Sequence, residues 1–267
     1  MQGRFFKRSL GQCFLRDTSL ALRIARILRP LTDHLVEVGG GSGMLTQALQ
    51  STYPGRSLWV VEIDAHWAEV LRRRFPHVTV VETDFLHWDA PAQIGTSYSV
   101  MGNFPYSISG PLAIRVVTMV QWVPFWGGMW QEEVARRLVA DPGTKDYGIL
   151  SVLVGAFYRA ELLFRVSPSA FYPRPKVWSA LTRFYRRPIL PAITPADLLH
   201  VLQHAFRHRR KKLRNNLPGE WLDAVEDLKL ADLRAEQVDV DTWITATERF
   251  ATLQRFNNRP NAPPTSD

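Results

Sequence analysis

The chain has 267 residues, 46% of them hydrophobic and 22% charged, which excludes general disorder and leaves room for one large domain or a domain with a small appendage. One cysteine excludes an internal disulfide and a Cys-rich zinc site and suits a reducing compartment; no run reaches the roughly 18 apolar residues of a membrane span, and Met1–Leu10 lacks a signal peptide's apolar centre. The sum of 33 Lys and Arg against 25 Asp and Glu gives +8, a field that favours polyanions such as nucleic acid.

The N-terminal stretch is basic: the Arg4–Arg8 run with Arg16, Arg23, Arg26 and Arg29 faces only Asp17. Strand-like runs follow at His34–Val38, Leu58–Ile63, Val78–Val81 and Tyr98–Gly102, separated by helical stretches. That alternation predicts an α/β, Rossmann-like domain with a parallel sheet covered on both faces. Leu150–Phe157 and Ser179–Tyr185 are expected to extend the sheet. Most of the nine tryptophans should be core, although Trp122, Trp126 and Trp130, at four-residue steps, fit one face of a helix. The proline-rich stretch from Arg187 to Pro195 reads as a stiff linker, dividing the chain into domains 1–187 and 188–267. Beyond it Thr194, Pro195 and Asp197 form a helix start. Leu198, Leu202, Phe206 and Leu213 extend that helix to Pro218-Gly219. Shorter helices are expected around Trp221–Leu228, Leu230–Glu236 and Thr242–Phe256, then a disordered tail.

Chemistry concentrates at the ends of the predicted strands. Val36 to Leu49 reads VEVGGGSGMLTQAL, with glycines at 39, 41 and 43 that let backbone approach a ligand at a helix N-terminus. Met44 stands where a dinucleotide fingerprint needs glycine. The E-x-G-x-G-x-G form instead suits the S-adenosylmethionine loop of class I methyltransferases. Glu62 ends the next strand, where a carboxylate can accept both ribose hydroxyls of an adenosine. Asp84 ends the third and is placed to accept from an adenine amino group. The fourth strand runs into Asn103-Phe104-Pro105-Tyr106, a form of the N/D-P-P-Y motif that methylates exocyclic amino nitrogens. Such a nitrogen is a poor nucleophile because its lone pair is delocalised into the ring. The Asn103 side-chain oxygen and the Phe104 carbonyl, held by Pro105, can accept its two protons and orient the lone pair. Tyr106 can stack on an extruded base.

These motifs, with LGQCFLRD, QEEVARRL, KDYGILSV, SAFYPRPKVWSAL, AFRHRRKKLRNNL and LRAEQV, resemble over nearly the whole chain the small-subunit ribosomal RNA adenine dimethyltransferases, the KsgA/RsmA family. The resemblance implies S-adenosylmethionine as cofactor and dimethylation at N6 of two adjacent adenines near the 3′ end of 16S ribosomal RNA during 30S subunit biogenesis. The implied setting is a monomer acting on a 30S precursor in the cytoplasm, with no metal and no membrane. It implies cofactor contacts at Leu15, Gly39, Gly41, Glu62, Asp84 and Asn103, and places Asn103 and Tyr106 at the target base with Phe171 as a second aromatic wall. The chain departs from the family pattern in five places. Cys13 replaces a cofactor-touching Asn and Gly40 a common Pro. Phe104 stands for Leu, Ser107 for Asn and Trp178 for Asp.

Arg207, Arg209, Arg210, Lys211, Lys212 and Arg214 form a candidate phosphate-contacting face. His200, His204 and His208 recur every four residues, but no acid or cysteine completes a metal site. Two other readings stay open. One is a non-catalytic small-subunit assembly factor whose cofactor site has drifted. The other, a 23S ribosomal RNA methyltransferase giving macrolide resistance, is disfavoured by the second-domain motifs.

Overall fold

The computed structural model describes residues 13–257, so the Arg4–Arg8 run and the tail 258–267 lie outside the described residues. The chain divides into two compact units, Met1–Val139 with Phe157–Pro188, and Ala140–Ala156 with Ile189–Asp267.

The first unit begins with β1 (Phe14–Leu15) and α1 (Thr18–Leu28), whose start is capped by Asp17 accepting from the Leu20 amide at 3.0 Å. Three βα repeats follow: β2 (His34–Val38) and α2 (Met44–Thr52), β3 (Ser57–Glu62) and α3 (Ala65–Arg74), β4 (Thr79–Glu82) and α4 (Ala90–Ile94). Then come β5 (Tyr98–Asn103) with α5 (Ser109–Thr118), and β6 (Phe125–Gln131) with α6 (Glu132–Leu138). After an excursion into the second unit through α7 (Ile149–Phe157), the chain returns in β7 (Tyr158–Val166), β8 (Phe171–Tyr172) and β9 (Ser179–Arg186). The main sheet has the order β4-β3-β2-β5-β6-β9-β7. Strands β2 to β6 are parallel within it, while β9 runs antiparallel to both β6 and β7. Central strands β2 and β5 are buried along nearly their whole length, as parallel strands covered on both faces must be. A separate ribbon pairs β1 with β8, Phe14 opposite Tyr172 and Leu15 opposite Phe171.

The sheet is the expected Rossmann-like one, with three differences. Leu150–Phe157 is helical, not a strand: Val152, Leu153, Val154, Ala156 and Phe157 are all buried, and a short run that is apolar throughout carries no period to separate the two states. Trp126 and Trp130 lie on β6, not on a helix, because a four-residue step also returns to the same face of a strand. Both are fully buried, Trp126 stacking on Phe184 with ring centroids 3.8 Å apart. Trp122 precedes the strand and is partly exposed.

The third difference concerns the division of the chain. The units separate at Pro188, but Ala140–Ala156 joins the second unit and does not stay with the first as the linker alone suggests. Hydrogen bonds hold it there: Gly143 N–H to Glu236 O at 2.7 Å and Tyr147 Oη to Val238 O at 2.8 Å. Within this unit α8 (Pro195–Ala205) starts with a capping box between Thr194 and Asp197. It ends at Ala205, well short of Pro218, and a series of turns carries the basic run instead. Two more helices follow, α9 (Leu222–Asp227) and α10 (Val240–Asn257). His200 and His204 stay on α8 and meet the Trp221 ring edge-on, while His208 falls outside the helix. Among the described residues no group of three His, Cys, Asp or Glu could hold a metal ion, and no helix is long and apolar enough to cross a membrane.

Candidate active site

In open sheets of this kind ligands bind beyond the carboxyl ends of the strands where the order reverses, here at β2 between β3 and β5. A cavity opens there. Cys13, Phe14, Gly39, Gly41, Glu62, Asp84, Asn103, Phe104, Pro105 and Tyr106 are among its lining residues, so most of the expected site residues converge on one space.

The loop after β2 turns through left-handed glycines, Gly39 at φ 76° and Gly41 at φ 50°. A Cβ on Gly41 would sit 2.4 Å from the Phe14 ring, so that position also lets β1 close over the loop. Gly40 is explained differently. A Cβ there would approach Val60 Cγ1 to 2.4 Å and Leu71 Cδ1 to 2.8 Å, so neighbouring bulk fills the space that a proline ring would need. The Glu62 carboxylate accepts from the Gly41 amide at 2.8 Å and the Asp64 amide at 3.0 Å, which ties β3 to the glycine loop. Burial pushes the Glu62 carboxyl above its ordinary range, tempered by those amides. Beneath it, Glu37 is fully buried and raised to about 8, first by burial and further by the charge of Glu62. The Thr46 hydroxyl tempers that rise without making a hydrogen bond of normal geometry. Asp84 accepts from the Leu86 amide at 2.9 Å with Oδ1 and meets His87 Nδ1 at 3.1 Å with Oδ2.

The end of β5 is packed with unusual care. Gly102 and Gly128 are paired on adjacent strands, and a Cβ on Gly128 would come 2.6 Å from the Phe104 ring. Two glycines in a sheet therefore admit that ring, which is buried and packs against Trp130 at 4.3 Å between centroids. With Phe104 anchored below, Asn103 is held at the cavity. Its Nδ2 donates to the Cys13 backbone carbonyl at 2.7 Å. Its Oδ1 is buried and meets no hydrogen-bond donor. A buried carbonyl oxygen without a donor costs about 1–3 kcal/mol, and the residue that carries it lines the cavity. Tyr106 is oriented by its hydroxyl, 2.5 Å from Ser179 Oγ on β9. Burial raises the phenol to about 12, so it stays protonated throughout the neutral range.

Position 13 acts in this network through its carbonyl, which any residue supplies. Burial raises the Cys13 thiol, which keeps it protonated and unsuited to nucleophilic work. Leu15 and Phe171 are not among the cavity's lining residues. They pair with each other across the β1–β8 ribbon, and both side chains are buried in the core that supports it. Phe14, Ile63, Phe85 and Ile108 line the cavity without having been singled out from the sequence. Ile63 directly follows the strand-end Glu62 and is 53% exposed, which the sequence alone does not show. Ser179 had no signal, being 73 residues from Tyr106.

In the second unit the basic run is only partly available. Arg209 donates to Glu236 at 2.6 Å and to the carbonyls of Lys145 and Tyr147, clamping Ala140–Ala156 to its own unit. Lys212 and Arg214 both pair with Asp232. Arg207, Arg210 and Lys211 are exposed and project from the turns.

Comparison with known proteins agrees with this arrangement. Residues 3–252 match the family model described as ribosomal RNA adenine dimethylase. A protein of Porphyromonas gingivalis named ribosomal RNA small subunit methyltransferase A is 41% identical over 253 residues, covering 90% of this chain and 96% of the relative. One of the same name from Leptothrix cholodnii is 38% identical, covering 95% and 94%. Among solved structures, a dimethyladenosine transferase from Plasmodium falciparum shares the fold at a TM-score of 0.78 and 21% identity, covering 90% of this chain and 98% of its own. The 23S rRNA methyltransferase ErmE aligns at 0.64 and 25% identity, covering 89% and 99%. The chain belongs to the ribosomal RNA adenine dimethylase family and is an S-adenosylmethionine-dependent adenine dimethyltransferase of ribosomal RNA.

Proposed function

We propose that this enzyme dimethylates N6 of two adjacent adenines near the 3′ end of small-subunit ribosomal RNA, acting as a cytoplasmic monomer on a 30S precursor. The observation that carries this reading is the buried, unpartnered Oδ1 of Asn103 at the cavity wall. It is an acceptor kept waiting for an N–H, and an exocyclic amino group supplies one. The names of the relatives support the small subunit over the large one.

The residues present fit the cofactor. Gly39 and Gly41 give a backbone that a ligand can approach closely, and Glu62 and Asp84 offer carboxylate oxygens for an adenosine's ribose and amino group. S-adenosylmethionine, when bound, supplies an electrophilic methyl on a sulfonium. Asn103 does the rest of the positioning: with its Nδ2 fixed on Cys13 O, Oδ1 accepts one amino proton and the Phe104 carbonyl the other. The nitrogen lone pair then points out of the ring plane toward the cofactor side, and positioning accounts for most of the acceleration. Tyr106, held by Ser179, stacks on the base. Phe171 contributes from beneath, by holding the ribbon that carries Cys13. Arg207, Arg210 and Lys211 contact phosphates without reading sequence.

The assembly-factor reading rests on drift at Cys13 and Gly40, and each has a local account: a backbone contact at one, and filling by Val60 and Leu71 at the other. Methyl incorporation from labelled S-adenosylmethionine, into unmethylated small-subunit particles and separately into 23S RNA, tests the proposal. Incorporation confined to the particles, at two adjacent adenines, is expected. Incorporation into 23S RNA, or none into either, would overturn it.

A further inference from the structure

From Tyr172 at the end of β8, the loop to β9 carries Arg174, Lys176, Val177 and Trp178, with no acidic residue from 171 to 178. Both of its ends are fastened to the walls of the cavity. Tyr172 pairs with Phe14, which lines it, and Ser179 holds the hydroxyl of Tyr106, which also lines it. Between those anchors apolar surface lies open: Tyr172 is 47% exposed, and Val177 and Trp178 are each 43% exposed. Each exposed ring carries a cation. The guanidinium of Arg165 lies 4.5 Å from the Trp178 ring centroid and that of Arg16 lies 5.8 Å from the centroid of Tyr172. Arg165 is itself held by Glu132 at 2.7 Å.

Exposed aromatics set among cations, with two prolines stiffening the loop, suit a flat aromatic ligand joined to anions. An unpaired nucleobase between its phosphates is such a ligand.

We propose that Trp178, backed by Arg165, is a stacking platform for an unpaired nucleobase next to the target adenine, with Arg174 and Lys176 on the adjoining phosphates. The proposal rests on the RNA-methylating function above and adds a second base-binding position outside the reaction cavity.

A hairpin oligoribonucleotide with two adjacent adenines in its loop, and 2-aminopurine placed on either side of them in turn, tests it by fluorescence. Binding should quench one of the two probes in the wild-type enzyme. Trp178→Ala should abolish that quenching and weaken binding about 5- to 150-fold, the range for loss of one base–aromatic stack. Trp178→Phe should retain most of both. The salt dependence of binding and the calorimetric affinity for S-adenosylmethionine should not change in Trp178→Ala, which separates lost stacking from damaged folding. Lys176→Ala should do the reverse, keeping the quench and lowering the salt slope by about 1. Wild-type affinity and quenching in Trp178→Ala would overturn the platform. So would a loss seen with intact small-subunit particles but not with the hairpin, which would assign Trp178 to a ribosomal protein. If the wild-type enzyme methylates particles yet Trp178→Ala shows no defect, only the platform fails; absence of methylation by the wild type would remove the function beneath it.

Discussion

Replacing Asn103 by alanine separates the two roles of that side chain because they enter stability with opposite signs. Loss of Nδ2 leaves the Cys13 carbonyl without that donor, which destabilises by about 1–3 kcal/mol. The unpartnered Oδ1 imposes a desolvation cost of about 1–3 kcal/mol, and its removal stabilises. The two nearly cancel, so Asn103→Ala should melt within about 4 °C of the wild type, given about 2–4 °C per kcal/mol for a chain of this size. Catalysis has no such compensation. The lost acceptor is needed only when the amino nitrogen is aligned, and a preorganised polar group of that kind is worth about 10²–10³ in rate. Scanning calorimetry, with single-turnover methyl transfer at saturating S-adenosylmethionine, measures both quantities on one sample. A fall in melting temperature beyond about 10 °C that tracks the activity loss would make Asn103 a structural residue. Near-normal turnover would refute its role in aligning the nitrogen.

Four further outcomes are expected. Glu62→Gln presents an amide N–H to either the Gly41 or the Asp64 amide, so calorimetric affinity for S-adenosylmethionine should fall at least tenfold; wild-type affinity would remove Glu62 from the cofactor site. Glu37, raised to about 8 by burial, stays neutral in the folded enzyme up to about that pH but ionises near its ordinary value of 4.5 when unfolded, so it withdraws stability progressively as pH rises between those values. Glu37→Gln should therefore raise the melting temperature more at pH 8 than at pH 5, and an equal effect at both would contradict the buried, neutral state. Arg209→Ala should destabilise the enzyme by about 1–2 kcal/mol, discounted for its partial exposure, and leave the salt dependence of RNA binding unchanged. Charge reversal at Arg210 and Lys211 should instead weaken binding and flatten that dependence; the opposite pattern would exchange their assignments.

The strands β2 to β5 were legible in the sequence because short β-branched runs alternate with helices at a regular spacing, and His34–Val38 agrees at both ends. The convergence of Gly39, Glu62, Asp84 and Asn103 was legible for the same reason, since parallel strands in series deliver their carboxyl ends to one edge. What failed depends on contacts distant in the chain. The helix at Pro195 was extended too far because Leu213 continues an apolar spacing, yet the turns from Phe206 put Arg209 against Lys145 and Tyr147, a segment read as belonging to another domain. Phe171 looked like a pocket wall because of its motif, but pairing with Leu15 turns its ring into the core. Oδ1 of Asn103 could be named as an acceptor from the motif; that a backbone carbonyl 90 residues away fixes its orientation could not.

The detour of Ala140–Ala156 bears on how such an enzyme can be cut and inherited. A truncation after Pro188 would strand that segment, removing the partners of Gly143 and Tyr147 and the Val240 side chain that lies 3.1 Å from where a Cβ on Gly155 would be. The C-terminal body is thus not a cassette that recombination can exchange at one splice. A chimera would need to import the loop after α6 along with it, so the two stretches should pass between lineages only together.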